Sequence, residues 1–126
     1  MVKYLFVYGW LKSRYRYSLS EKMEFPDFPL ELEGQATVSG TLFRVAEYPG
    51  YAREGDEVIH GELYRLPEKF DWTLLDSFEH AFPLIRQGYE YSREVVDVDF
   101  GRKLVPAYIY IYMGKNRGEK IASGIF

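Results

Sequence analysis

The sequence predicts an α+β fold, a small mixed but mainly antiparallel β-barrel with one main helix across its side. Three observations lead there. Runs of β-branched, aromatic and leucine residues of strand length recur at Tyr4–Tyr8, Gln35–Val45, Val58–Leu66, Tyr89–Phe100 and Lys103–Met113. Most are separated by turn residues alone, and strands joined that way pair antiparallel rather than as a doubly wound parallel sheet. Only Pro67–Phe78 carries a helical repeat. A chain of 126 residues and 14.9 kDa fits one domain, 1–126, with a core that buries roughly two thirds of the unfolded chain's surface. No internal repeat or low-complexity tract divides it.

The elements follow in chain order. Tyr4–Tyr8 is apolar throughout, as suits a strand with both faces covered. Gly9 ends it, because a residue without Cβ lets the backbone turn sharply or approach something closely. Residues 13–34 have no clean period and contain Pro26 and Pro29, the pattern of a long surface connection. Gln35–Val45 is a strand whose Gly40 signals a bulge or a close neighbour. Glu47-Tyr48-Pro49-Gly50-Tyr51 is a turn by its Pro-Gly pair, Glu54-Gly55-Asp56 a polar break, and Val58–Leu66 the next strand, with Gly61 in its middle.

Pro67 suits the first turn of a helix and Glu68 the acid-favouring end of its dipole. Phe70, Leu74, Leu75 and Phe78 form its apolar stripe. A loop through Pro83 and Gly88 leads to the last two strands, joined at Phe100-Gly101-Arg102-Lys103. The second of them alternates tyrosine with isoleucine, and the chain after Gly114 reads as a short tail.

Composition excludes several kinds of function. A net charge of −3 and a pI near 5.4 argue against a nucleic-acid partner held by general phosphate attraction. The basic run Lys12-Ser13-Arg14-Tyr15-Arg16 is short enough to be a solvated loop. Without cysteine the chain has no disulfide, thiolate-bound zinc or thiol nucleophile. No run approaches the ~20 apolar residues of a membrane span, and the first residues lack a cleavable leader, so a cytoplasmic protein without a membrane partner is expected.

Phosphate-binding glycine loops and the GxSxG nucleophile turn are absent from the sequence. Two histidines, His60 and His80, are too few for a metal site without carboxylate help, so neither metal nor cofactor is expected. One carboxylate stands out. Glu79 follows the expected helix, where the helix dipole disfavours negative charge, and Asp76 lies three residues before it. With Phe78, Ala81 and Phe82 around it, these influences raise a carboxyl pKa, which suits a general acid–base at neutral pH. An exposed glutamate at a frayed helix end fits the same residues.

Read in order, the segments resemble the γ-glutamylcyclotransferase-like family, which includes the AIG2-like and γ-glutamylamine cyclotransferases. Val7-Tyr8-Gly9-Trp10-Leu11-Lys12 is similar to its amino-terminal signature, Gly34–Phe43 to its second strand and Tyr48-Pro49-Gly50 to its turn. Val58–Tyr64 resembles the next strand, Leu75-Asp76-Ser77-Phe78-Glu79 the LDxxE segment, Tyr91-Ser92-Arg93 a YxR, and Ala107–Tyr110 the closing aromatic strand. The resemblance covers nearly the whole chain.

The resemblance implies a barrel with a cavity at one end that binds a small γ-glutamyl compound, with Glu79 as the essential glutamate. Tyr8, Gly9, Trp10 and Leu11 would then offer backbone N–H groups to a carboxylate or a developing oxyanion. Tyr110 would line the cavity, and Tyr91 and Arg93 are further candidates, although Arg93 could equally pair with an acid for stability. A catalytically silent domain binding an amino-acid-like ligand is the alternative, and a monomer or weak homodimer is expected. The family's turn carries Thr or Ser where this chain has Trp10. An inward indole would block or reselect the glutamyl group, whereas a turn used only through its amides tolerates it.

Overall fold

The computed structural model describes residues 2–9, 30–45, 49–70, 72, 91–114 and 117–126. Five strands are present among them: β1 Tyr4–Val7, β2 Glu31–Arg44, β3 Pro49–Arg65, β4 Tyr91–Phe100 and β5 Lys103–Tyr112. They close into a barrel in the order β1-β3-β2-β4-β5. Every pairing is antiparallel except that of β5 with β1, which is parallel at Leu5↔Tyr108 and completes the closure. The expected mixed, mainly antiparallel barrel is therefore what forms. Closure pairs strand edges that would otherwise template aggregation.

The lumen holds Phe6, Tyr8, Ala36, Val38, Leu42, Tyr51, Ile59, Leu63, Val98, Ala107, Ile109 and Ile111, which pack as one cluster. The alternation of tyrosine and isoleucine in β5 is explained here, because Ile109 and Ile111 point inward while Tyr108, Tyr110 and Tyr112 belong to a second cluster on the outer face. That outer cluster also contains Leu5, Val7, Leu30, Phe43, Tyr64 and Tyr91.

Several sequence expectations are corrected. β2 begins at Glu31, inside the stretch expected to be connection, and a register shift between Leu32 and Gly34 lets its polar start pair with Tyr64 and Leu63. Glu54-Gly55-Asp56 does not end a strand. Gly40 pairs with Glu57 and Thr41 with Ala52, so residues 53–56 bow out of a continuous β3. Gly55 takes a φ of +99° there, and the Thr41 hydroxyl donates to the Glu54 carbonyl at 2.6 Å. Gly40 is a close-approach glycine as well as a bulge partner, since a Cβ on it would strike the Ala52 carbonyl and the Tyr51 ring.

No helix stands as an element among the described residues. Of the expected Pro67–Phe78 helix, 71 and 73–78 lie outside the described residues, and Pro67–Phe70 form a connection and turn. Trp72, the one described residue of that span beyond the turn, is helical. The turn sets Phe70 edge-on to Trp72 at 4.8 Å, and Trp72 edge-on to Tyr108 at 4.9 Å.

The chain after Gly114 is no free tail. Arg44 N–H donates to the Glu119 carbonyl, Gly118 N–H to the Arg44 carbonyl and Ile121 N–H to the Leu42 carbonyl, each at 2.8 Å. His60 N–H reaches the Gly124 carbonyl at the same distance. Ion pairs of Lys120 with Glu57 and Arg117 with Glu54 fasten this strap from the side. Its backbone groups thus satisfy donors and acceptors of β2 and β3 that have no neighbouring strand at those positions.

Candidate functional site

β3 locates the site. From Glu57 to His60 only Ile59 is fully buried, the alternation of a strand with one covered face. From Gly61 to Tyr64 all four residues are buried. β5 repeats the change, with alternation up to Tyr108 and burial on both faces from Ile109 to Tyr112. On both strands flanking β1 the outer face is thus covered too, and Leu66, Phe70 and Trp72 pack against it.

The expected turn residues meet this face at the end of β1. Tyr8 turns its ring into the lumen, 5.9 Å from that of Tyr51, and its hydroxyl donates to the Tyr110 carbonyl at 2.6 Å. This bond ties the start of the turn to β5. Gly9 bends the chain directly against β3, for a Cβ there would sit 2.8 Å from Pro49 Cγ. Any larger residue would have to push Pro49 aside. Trp10 and Leu11 lie outside the described residues, as do Glu79, Asp76, His80 and Arg86.

Tyr110 is buried in the outer cluster with Tyr64, Tyr91 and Tyr112. The Tyr91 hydroxyl donates to the Pro49 carbonyl at 2.7 Å, and its ring lies edge-on to Tyr112 at 5.5 Å. Tyr91 therefore braces the residue against which Gly9 packs. The Arg93 guanidinium lies 4.1 Å from the centre of the Trp72 ring and 5.8 Å from that of Tyr108, a cation–π stack at the margin of the same face. Tyr8, Gly9, Tyr91 and Tyr110 thus converge, with Arg93 beside them.

Sequence reasoning missed Glu62. It is 6% exposed and is the one buried charged side chain among the described residues. The Tyr64 hydroxyl donates to its Oε1 at 2.9 Å. In sequence Glu62 shares a strand face with Val58 and His60, both exposed, and so reads as solvated. The available signal was its near neighbour Tyr64 on that same face, followed by Leu66 and the aromatic pair Phe70 and Trp72.

Two depressions flank this face. One of about 550 Å³ is lined by Lys3, Arg65, Leu66, Phe70, Trp72 and Tyr108 among others. The other, of about 290 Å³, lies between Arg53, Glu94, Tyr112, Met113 and Arg117. Among the described residues no three His, Asp or Glu side chains come together in a metal-holding arrangement, and no helix is long and apolar enough to cross a membrane.

The family model for gamma-glutamyl cyclotransferase, AIG2-like proteins matches residues 5–126. No curated protein matches the chain. Among solved structures the fold is similar to YkqA from Bacillus subtilis, with 25% identity and a TM-score of 0.67 over 100% of this chain. The chain spans 40% of that protein's length. It is also similar to ytfP from Escherichia coli, at 25% identity and TM-score 0.59, covering 98% of this chain and 95% of that one. An AIG2-like protein from Mus musculus shares the fold, at 20% identity and TM-score 0.61, over 90% of this chain and 79% of that one.

Proposed function

The chain belongs to the gamma-glutamyl cyclotransferase, AIG2-like family, and from that premise we propose that it converts a γ-glutamyl amine or related γ-glutamyl compound to 5-oxoproline and a free amine or amino acid. The observation that carries this reading is the family match over residues 5–126, which takes in the Tyr8–Gly9 turn, Glu79 and the tyrosine face together. The convergence of Tyr8, Gly9, Tyr91 and Tyr110 at one end of the barrel supports it.

In the proposed reaction Glu79 takes a proton from the α-amino nitrogen of the substrate. The freed amine attacks the γ-carbonyl carbon of the same glutamyl unit, forming a carbon–nitrogen bond and a five-membered ring. The bond from that carbon to the leaving nitrogen breaks, and Glu79 hands the proton to the departing amine. Nucleophile and electrophile belong to one molecule, so positioning takes the place of a second reactant. Backbone N–H groups of the turn at residues 8–11 receive the substrate carboxylate or the developing oxyanion. Tyr110 contributes a hydroxyl to the wall.

The experiment is release of 5-oxoproline from a panel of γ-glutamyl amines, γ-glutamyl amino acids and glutathione. We expect release from at least one, and its loss in Glu79→Gln with ligand binding kept within a few-fold. A Glu79→Gln protein that turns over near the wild-type rate would show that the base is misassigned. Trp10, standing where the family's turn has Thr or Ser, favours one other reading, a silent binder of the same ligand class. Saturable binding without any 5-oxoproline release is the result that would select it.

A further inference from the structure

We propose that the depression at the start of β1 is a further binding site, for a small aromatic anion: a planar ring that carries a phosphate group. The two depressions beside the outer face differ in charge. In the one of about 290 Å³, Arg53 is paired with Glu94 and Arg117 with Glu54, so each cation is answered within the same wall. The one of about 550 Å³ holds Lys3, Arg65 and Lys69 against a single acid, Glu68. Among the described residues no carboxylate pairs with Lys3 or Lys69. Arg65 donates its Nε–H to Glu33 Oε1 at 2.6 Å, which leaves its terminal nitrogens as further donors. In a chain of net charge −3 this is a local basic concavity, and such clefts concentrate anions.

The wall supplies the other half of the ligand's chemistry. Phe70, Trp72 and Tyr108 line the same depression together with Leu66. Phe70 and Tyr108 stand edge-on to Trp72 at 4.8 and 4.9 Å, and the Arg93 guanidinium lies 4.1 Å from the centre of the Trp72 ring. All three rings are only partly buried, so each keeps surface that a ligand can cover. A bare anion would leave that aromatic surface wet, and a neutral ring would leave the lysines unanswered. A ring joined to a phosphate meets both, and a volume of about 550 Å³ is ordinary for a small-ligand site. Phosphate is preferred to carboxylate because its three terminal oxygens offer an acceptor to each of Lys3, Arg65 and Lys69. Lys3 stands six residues before Gly9, about 20 Å of extended chain. The site is therefore at the other end of β1 from the Tyr8–Gly9 turn, and the inference does not rest on the proposed reaction. It is a site of binding alone, where no bond forms or breaks.

The test is calorimetric titration of the wild-type protein with adenosine 5′-monophosphate, adenosine and inorganic phosphate. We expect the monophosphate to bind at least about 10-fold tighter than either of its halves, the worth of a hydrogen bond to a charged group, and to weaken as salt is raised, since the cations are exposed. Lys3→Gln and Lys69→Gln, both at exposed positions, should each weaken it about 2- to 5-fold, as for an exposed ion pair, and leave adenosine unaffected. Glu68→Gln removes the one acid and should tighten monophosphate binding about 2-fold, a gain that a merely structural role would not produce. In Trp10→Phe, which leaves Trp72 as the only tryptophan, the monophosphate should change the remaining tryptophan fluorescence and so locate the ligand. Absence of monophosphate binding at millimolar concentration would overturn the proposal, as would a fluorescence that does not respond. Affinity for adenosine or for inorganic phosphate equal to that for the monophosphate would also overturn it, and so would unchanged binding when Lys3→Gln and Lys69→Gln are combined. Release of 5-oxoproline enters none of these outcomes, so a failure here leaves the proposed reaction standing, and the converse holds.

Discussion

Leu63 and Tyr64 are neighbours in β3, yet they serve different regions. Leu63 packs into the lumen among Phe6, Val38 and Ile109, where nearly every side chain is aliphatic or aromatic. Tyr64 points outward, beside Leu5 and Tyr110, and its hydroxyl holds the buried carboxylate of Glu62. Most of the lumen requires only side chains of the right volume, and its two hydroxyls, of Tyr8 and Tyr51, are satisfied by the Tyr110 and Ser39 carbonyls. The outer face beside β1 is also buried, but it carries a charge as well as tyrosine hydroxyls, and these have to be hydrogen-bonded or they weaken the fold. A region that accepts such costs where apolar residues would fit is where a function is best sought.

The largest expected effect that separates the two regions is in the lumen. Leu63→Ala removes a fully buried side chain and should cost about 2–5 kcal/mol of stability. Denaturant unfolding measures this. The 5-oxoproline released per folded molecule should stay near wild type, and a comparable loss of activity would erase the distinction between the faces. Tyr110→Phe is the converse experiment. It should lower kcat/KM about 10-fold, the worth of one hydroxyl hydrogen bond, while the ring remains to fill its place in the cluster. A large fall in stability with unaltered kcat/KM would put Tyr110 with the lumen.

The smallest effect lies on the strap, where Arg117 pairs with Glu54. The hydrogen bond from Arg117, with its positive charge, holds the Glu54 carboxyl below its ordinary value of 4.5. A depressed folded pKa means that the contribution of this pair is present above 4.5 and is lost as pH falls through the lower folded value. Amide protection factors at Gly118 and Ile121 should therefore drop in acid, by a few-fold at most for so exposed a pair. Glu54→Gln should reproduce the drop at pH 7. Protection that is insensitive to both would place the strap's hold entirely in its backbone bonds to Arg44 and Leu42.

Much of this was legible in the residues. The alternation of Tyr108, Ile109, Tyr110 and Ile111 marks two faces, since successive strand side chains point oppositely, and the barrel bears this out. Gly40 signalled a bulge or close neighbour, and both are present. The polar break at Glu54–Asp56 was a real irregularity read as the wrong kind. Local composition cannot distinguish a strand that ends from one that bows out while its partner runs straight on. The start of β2 at Glu31 was hidden for a related reason, because its exposed glutamates pair by backbone bonds that leave no trace in side-chain hydrophobicity. In the site, Tyr8, Gly9, Tyr91 and Tyr110 were reached through the family resemblance, whereas Glu62 was passed over as one more polar residue on a strand.

By itself the sequence determined the strand-rich architecture, the antiparallel preference, the inward and outward sets of β5 and the family. All of these follow from short-range periodicity, turn chemistry and motif order. Only the tertiary structure decided that the last residues form a strap, that Gly9 is packed against Pro49, and that the outer face is covered from Gly61 onward. Each of these depends on contacts between residues far apart in the chain. Whether a glutamate on a strand is solvated or buried is set by what lies over that strand, and around Glu62 only Tyr64 and the apolar residues that follow it signal that cover.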